Sequence, residues 1–152
     1  MLTVYSVKGL AILLLAGVLP ASSAPVLVDT LLDQGVVHRD AGRPGKAAVA
    51  FAAAAALRPS DPDVWNALGE PALQSRDLDR AQAAFLKALA FDARHYYARL
   101  GLGRVLMERG DPAGAALRFD QAARSRPNAA LPAFYLGRAL EAKGTPEAAK
   151  RA

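Results

Sequence analysis

The sequence repeats itself with a period of 34 residues. Glycine and alanine each recur at this spacing at four positions, and phenylalanine recurs at three. The columns are Gly35, Gly69, Gly103 and Gly137; Ala47, Ala81, Ala115 and Ala149; and Phe51, Phe85 and Phe119. A period of this length is typical of arrays in which one unit cannot bury its apolar face without a neighbour. We therefore expect a stack of similar units rather than a domain with one central core.

Each unit has the pattern of two helices joined by a short turn. In the third unit, a helical pattern over 96–109 ends at Gly110, and glycine is favoured just beyond a helix C-terminus. Asp111 and Pro112 then suit the N-cap and the first position of a second helix over 113–125. Alanine, the strongest helix former, supplies 35 of the 152 residues. These features predict an all-α fold with helix pairs over 28–57, 62–91 and 96–125, followed by a partial fourth pair.

Two segments depart from this regular pattern. Pro71 lies inside the first helix of the second unit, where it removes one backbone hydrogen bond, so we expect that helix to bend or restart near Gly69–Pro71. The second unit also has Arg76 where the first and third turns have Gly42 and Gly110. Residues 146–152 span less than two helical turns and are expected to fray.

These residues resemble the tetratricopeptide repeat (TPR), a helix–turn–helix unit with the pattern W-x2-L-G-x2-Y, then A-x3-F, then A and P. The second unit has Trp65, Leu68 and Gly69, then Ala81, Phe85 and Ala88. The third has Leu102 and Gly103, then Ala115, Phe119, Ala122 and Pro127. The resemblance covers residues 28–152. It implies a right-handed α-solenoid of about three and a half repeats, over 28–61, 62–95, 96–129 and, in part, 130–152.

The amino-terminal residues 1–24 form a separate segment. An apolar run of eleven residues, 9–19, follows Lys8 and precedes Pro20 and the small residues of 21–24. This order is typical of a secretory signal peptide, with cleavage expected after Ser23. Eleven residues are too few to span a bilayer as a stable transmembrane helix. An uncleaved anchor that tethers the chain to the membrane through 9–19, and an N-terminal core helix, are the alternatives. Residues 25–152, the TPR array, are then expected in the bacterial periplasm, either free or tethered to the inner membrane.

The sequence offers little for catalysis or for binding metals and cofactors. It has no cysteine, two histidines and no glycine-rich loop after a strand, and its acidic residues are scattered singly. We expect His38 to be packed at a core-facing position, and His95 has no acidic neighbour in sequence closer than Asp92. The net charge is +5, but the arginines alternate with Asp and Glu along the whole chain, which is typical of solvated helix faces. We therefore predict no enzyme, no cofactor and no nucleic-acid partner.

The resemblance implies that the first helix of each repeat lines a concave groove. By register, the candidate groove residues are Asn66, Gln74, Tyr97, Leu100, Arg104, Met107, Leu131, Phe134 and Arg138. Leu100, Met107 and Phe134 would form an apolar floor beside Arg104 and Arg138. Such a surface suits a short apolar segment with an acidic group, since arginine can bind a carboxylate through two hydrogen bonds. In the alternative interpretation, Leu131 and Phe134 pack under a continuation of the array.

The resemblance also excludes one kind of ligand. TPR domains that bind chaperone tails hold the terminal carboxylate with Lys, Asn and Arg side chains. The corresponding positions here hold Leu32, Val36, Ala67, Tyr97 and Gly101, so chaperone-tail binding is not expected.

The function predicted from the sequence is that of a non-catalytic scaffold. An exported TPR adaptor would bind a peptide or protein segment in its concave groove, in the assembly of the cell envelope or of a secretion complex. The alternatives are a self-assembly element that associates through its open C-terminal repeat, a fragment of a longer TPR array, and a membrane-tethered adaptor. The identity of the protein or peptide partner stays open, because groove residues vary freely on a constant scaffold.

Overall fold

The structure, a computed structural model, describes residues 24–144. In this part of the chain every regular element is an α-helix, as predicted. The helices are α1 (Ala24–Asp40), α2 (Pro44–Leu57), α3 (Pro62–Gln74), α4 (Leu78–Phe91), α5 (Tyr96–Glu108), α6 (Pro112–Ser125) and α7 (Ala130–Gly144). The predicted targeting segment up to residue 23 and the fraying predicted for 146–152 lie outside the described residues.

Aspartates mark the starts of three helices. The side chains of Asp61, Asp77 and Asp111 accept hydrogen bonds from backbone N–H groups in the first turns of α3, α4 and α6. Each cap satisfies one of the backbone donors that a helix N-terminus leaves without a partner. Helix α2 follows Arg43, whose side chain makes no cap hydrogen bond. Local sequence thus places most of the helix starts where the structure has them.

The helices stack in chain order. Each packs on the next one along the chain, and α3 also contacts both α1 and α5. The first helices of repeats one, two and three therefore lie side by side as one layer. This is the arrangement that lets a short repeat bury its apolar face against its neighbours.

The glycine and phenylalanine columns meet in the core. Phe51, Phe85 and Phe119 are fully buried. A Cβ atom added to Gly69 would lie 2.5 Å from the Phe85 ring, and the glycines of the first and third repeats are equally close to their own phenylalanines. The small column thus creates the space that the aromatic column fills. At Gly137, in the fourth repeat, such a Cβ has no contact within 4 Å with residues 24–144 beyond the backbone of its own helix.

The helix that contains Pro71 does not restart, so that part of the prediction was wrong. Helix α3 is continuous from Pro62 to Gln74, and Pro71 is fully buried within its last turn. A proline removes one backbone hydrogen bond. Because the helix ends only three residues later, the lost bond lies close to the C-terminus. The Pro71 carbonyl itself accepts hydrogen bonds from the backbone N–H of Ser75 at 3.0 Å and from its hydroxyl at 2.9 Å.

Over residues 24–144, none of the helices has both the length and the apolar character that crossing a membrane requires.

Candidate binding groove

A cavity of about 300 Å³ opens where the first helices of repeats two, three and four come together. It is lined by Leu73 and Arg76 at the end of α3, by Arg104, Met107 and Glu108 of α5, and by Tyr135 and Arg138 of α7. We call it the groove cavity. Three successive repeats contribute to it, so its shape depends on how the repeats stack.

Two ion pairs join neighbouring repeats at the groove cavity. Nη1 of Arg104 lies 3.0 Å and 3.2 Å from the two carboxylate oxygens of Glu70, and Nη2 of Arg76 donates to Glu108 at 2.7 Å. Arg138 has no carboxylate within 4 Å among the described residues. The excess positive charge of this surface is therefore carried by Arg138, since both other arginines are neutralised within the chain.

Arg76 occupies a backbone conformation that normally requires glycine. Its φ angle is +60°, and Gly42 and Gly110, at the same position of the neighbouring repeats, have φ values of +66° and +76°. In all three turns this residue and the next donate backbone hydrogen bonds to the end of the preceding helix, which is the Schellman arrangement. A side chain in the left-handed region costs about 1–2 kcal/mol. The second repeat thus carries a strained arginine at the edge of the groove cavity.

The structure brings three of the nine predicted groove residues together in the groove cavity, namely Arg104, Met107 and Arg138. Leu100 is buried in the cluster around Phe119, so it belongs to the core and not to an exposed floor. The sequence prediction erred there because the same helix face both lines the groove and packs on the next helix.

The remaining predicted residues lie outside the groove cavity. Leu131 and Phe134 are 53% and 60% exposed on α7. Gln74 is exposed, and Asn66 is half-buried with a side-chain oxygen that has no hydrogen-bond partner within residues 24–144. Tyr97 is half-exposed and lines a different cleft, at the junction of repeats two and three.

Four residues of the groove-cavity lining were not among the nine candidates, namely Leu73, Arg76, Glu108 and Tyr135. Tyr135 stacks on Phe119 with ring centroids 5.2 Å apart, and it stands one residue after the predicted Phe134. Arg76 lies in the turn, outside the helix positions from which the groove was predicted. Its signal was present, because it replaces glycine in a column of turn glycines.

Both histidines are at least partly buried by the fold. His38 is half-buried, with its Nδ1 atom buried and without a hydrogen-bond partner among the described residues. Nδ1 of the buried His95 accepts from the backbone N–H of Ala98 at 3.1 Å, so its Nε2 is the protonated nitrogen that donates to Asp63 at 2.9 Å. Asp63 is 32 residues away in sequence and was not foreseen. Within residues 24–144, no three His, Asp or Glu side chains are grouped as a metal would require.

The repeat is shared with a known family. The family model of the tetratricopeptide repeat matches residues 32–96, 71–130 and 100–150. These overlapping matches extend over more than half of the chain and agree with the helix pairs described above. The chain belongs to the tetratricopeptide repeat family.

Solved structures with this fold are similar over most of their length. The first TPR of Spaghetti (RPAP3), bound to an HSP90 peptide, superposes with a TM-score of 0.74 at 14% identity, covering 84% of this chain and 98% of that one. The Sgt2 TPR domain from Aspergillus fumigatus gives a TM-score of 0.74 at 18% identity, covering 82% of each chain. MamA gives 0.71 at 23% identity, covering 86% of this chain and 71% of its own. At these identities the similarity shows the fold alone.

Proposed function

We propose that this chain is an exported, non-catalytic TPR adaptor that binds a peptide or protein segment in the groove cavity. The observation that carries the proposal is the cavity itself, which the first helices of three successive repeats line together. Such a surface can read several side chains of an extended segment at once.

The chemistry of the groove cavity favours a segment with apolar and acidic side chains. Met107 and Tyr135 supply apolar surface, and Arg138 is a cation without a carboxylate partner in the described part of the chain. A carboxylate on the ligand can pair with Arg138 through charge-assisted hydrogen bonds.

Structural neighbours support a peptide ligand. The first TPR of Spaghetti is bound to an HSP90 peptide, and the second TPR domain of human RPAP3 is in complex with an HSP70 peptide. The carboxylate-clamp positions of chaperone-binding relatives are occupied here by residues such as Leu32 and Ala67. We therefore propose that this chain binds a peptide, as these neighbours do, but that the peptide is not a chaperone tail.

The proposed site of action is the bacterial periplasm, where the adaptor would serve envelope or secretion-complex assembly. The support is the order of Lys8, the apolar run over 9–19 and the small residues that follow. Cleavage would release the protein, and an uncleaved run would tether it to the inner membrane.

The groove is tested by selecting binders to the purified full chain from a library of random peptides. Binding is then titrated calorimetrically against Arg138→Gln and against Arg118→Gln, a matched control on α6 that also lacks a carboxylate within 4 Å among described residues. We expect the groove variant to lose at least about 1 kcal/mol of binding free energy with unchanged melting, and the control to lose none. Equal affinities for all three proteins would overturn the groove assignment.

A second candidate function is self-association through α7. Leu131 and Phe134, three residues apart and therefore neighbours on one face of this helix, are 53% and 60% exposed, and an exposed apolar patch can mark an interface. Light scattering over a range of concentrations separates the two candidates. A mass that rises with concentration, and falls back to the monomer in Phe134→Ala but not in Leu117→Ala, favours self-association. A constant monomer mass eliminates it.

A further inference from the structure

A second and larger cavity, of about 660 Å³, lies at the junction of repeats two and three. We call it the junction cleft. The N-termini of α3 and α5, the loop between α4 and α5, and the C-terminus of α6 meet there. Tyr97 is the one predicted groove residue in its lining, and its other walls share no residue with the groove cavity.

Arginines without acidic partners concentrate at the junction cleft. Of the thirteen arginines in residues 24–144, seven lie within 4 Å of a carboxylate of the described chain. The other six are Arg43, Arg94, Arg99, Arg118, Arg126 and Arg138. Three of these six, Arg94, Arg99 and Arg126, line this one cleft. The cleft therefore gathers positive charge that the chain neutralises elsewhere.

Two of the three guanidinium groups are held in place. Arg99 donates to the Ala93 carbonyl at 2.9 Å, and to the Gln121 carbonyl and the Ser125 hydroxyl at 2.6 Å each. Arg126 lies over the rings of Tyr96 and Tyr97, at 4.5 Å and 5.1 Å from their centroids. Stacking on a ring face orients a guanidinium while leaving most of its in-plane N–H donors for another partner.

Arg126 and Arg94 are the arginines with donors to spare. Among residues 24–144, the Arg126 side chain makes a single hydrogen bond, a long contact of 3.4 Å to the Tyr97 hydroxyl. The Arg94 side chain is exposed and makes no hydrogen bond within residues 24–144. Both can therefore donate to an incoming anion without breaking a contact of the fold.

Carboxylates in the same lining decide which anion fits. Asp63 accepts from His95, and Asp92 accepts from the backbone N–H of Arg94. These oxygens would repel a compact dianion such as phosphate. An acidic peptide suits the mixture better, because its carboxylates can pair with the arginines while its backbone N–H groups donate to the aspartates. The volume also fits several residues better than a single small ion.

We infer that the junction cleft binds a short acidic peptide segment of the partner, and that Arg94 and Arg126 bind the carboxylates of this segment. This inference rests on the proposed function, because it gives a chemical property of the partner of an adaptor. It places a second contact point outside the groove cavity.

The test uses the full chain labelled with ¹⁵N and titrated with hexaglutamate at low salt, with hexaglutamine and inorganic phosphate as the comparison ligands. Affinities are measured for wild type, for Arg94→Gln/Arg126→Gln, and for the matched control Arg43→Gln/Arg118→Gln. Both double variants remove the same charge from arginines that lack carboxylate partners. Amide shifts in the wild-type protein locate the site without relying on any variant.

We expect hexaglutamate to shift the amides of 94–97 and 125–126, and the cleft variant to bind about tenfold more weakly. The control should stay within about twofold of wild type, and hexaglutamine should not bind. Equal weakening of both double variants, or shifts spread over the surface, would mean general charge attraction and would overturn the inference. Phosphate binding as tight as hexaglutamate binding would overturn the assignment to a peptide.

The same proteins separate the inference from the proposed function. If Arg138→Gln weakens the binding of library peptides while the cleft variant binds hexaglutamate as tightly as wild type, the groove assignment holds and the junction-cleft inference is overturned. If the cleft variant binds hexaglutamate more weakly than wild type while Arg138→Gln weakens the binding of no library peptide, the junction-cleft inference holds and the groove assignment is overturned.

Discussion

The energetic role of a single residue in this protein depends on the space that the neighbouring helix leaves for its side chain. Gly69 has no room for a methyl group because the Phe85 ring lies against it, whereas no side chain of the described residues lies within 4 Å of a Cβ built on Gly137, at the same repeat position. The same residue type in one sequence column therefore has two different energetic roles. A Cβ at Gly69 forces the core apart, and a Cβ at Gly137 only stiffens a helix.

Alanine substitutions at these two glycines should have opposite effects. We expect Gly69→Ala to lower the free energy of unfolding by about 1–3 kcal/mol, as overpacked cores do. Gly137→Ala should raise it by up to about 1 kcal/mol, since alanine is the better helix former. Urea unfolding followed by circular dichroism measures both. Destabilisation of similar size in both variants would contradict the role assigned to the phenylalanine column.

The left-handed turn position makes a second pair. Arg76→Gly should raise the free energy of unfolding by about 1 kcal/mol, because relief of the strained backbone outweighs an exposed ion pair with Glu108. Gly110→Ala, at the same turn of the next repeat, should lower it by a similar amount. Thermal melting compares the two variants with wild type. A loss of stability in Arg76→Gly would mean that the ion pair, not the backbone, dominates at this turn.

At the scale of the element, helix starts depend on short-range hydrogen bonds. Asp111 caps α6 through the backbone N–H of Gly114, at 2.8 Å, and Asp77 caps α4 from the equivalent position. Helix α2 lacks such a cap, because Arg43 stands at its N-cap. In the first repeat the equivalent donor, the backbone N–H of Lys46, bonds instead to the Arg43 backbone carbonyl at 3.1 Å.

Substitutions at these two N-cap positions should change the free energy of unfolding in opposite directions. We expect Asp111→Ala to cost about 0.5–2 kcal/mol and Arg43→Asp to gain about 0.5–1 kcal/mol. Chemical unfolding of the two variants and of the double variant gives the values. The effects should add, because the two caps are in separate repeats. An unchanged midpoint in Asp111→Ala would show that packing alone holds the start of α6.

At the scale of the whole molecule, stability follows the stacking order. Among residues 24–144, helix α3 packs against α2 and α4 and contacts α1 and α5 as well, while α7 packs mainly on α6. In such a linear array the less supported units open first. The apolar side chains exposed on α7, such as Phe134, agree with this one-sided support.

Hydrogen exchange should reveal this gradient. We expect the amides of α7 to exchange faster than those of α3 and α5, and the ranking can be read by NMR on the full chain. Protection of α7 equal to that of α5 would contradict the one-sided packing.

The proposed export of the chain has its own test. Replacing both Leu13 and Leu14 by arginine should abolish translocation, because each charge in the apolar centre costs about 2.5–3.5 kcal/mol on insertion scales. Fractionation of cells that express the variant measures this, with Leu117→Arg/Leu131→Arg as a control of equal charge outside the segment. Periplasmic recovery of the first variant would overturn the targeting hypothesis.

Much of the fold followed from the repeat columns alone. The glycines at the first-helix position and the buried phenylalanines recur every 34 residues, and each phenylalanine ring packs against the glycine of its own repeat. Local chemistry of this kind is legible in a sequence, because the partners are a constant number of residues apart. Helix α5, for example, begins and ends within one residue of its predicted bounds.

The candidate sites were decided by the packing of one repeat on another. Arg104 and Glu70 occupy the same position of adjacent repeats, yet their ion pair exists only because α3 and α5 lie side by side. Arg126 reaches the rings of Tyr96 and Tyr97 from the end of the following helix. Which arginines stay unpaired depends on side-chain conformations and helix angles, and these settle only when the array is assembled. The spacing of 34 residues predicts which helices form, whereas the charges left free for a ligand arise from the stacking between repeats.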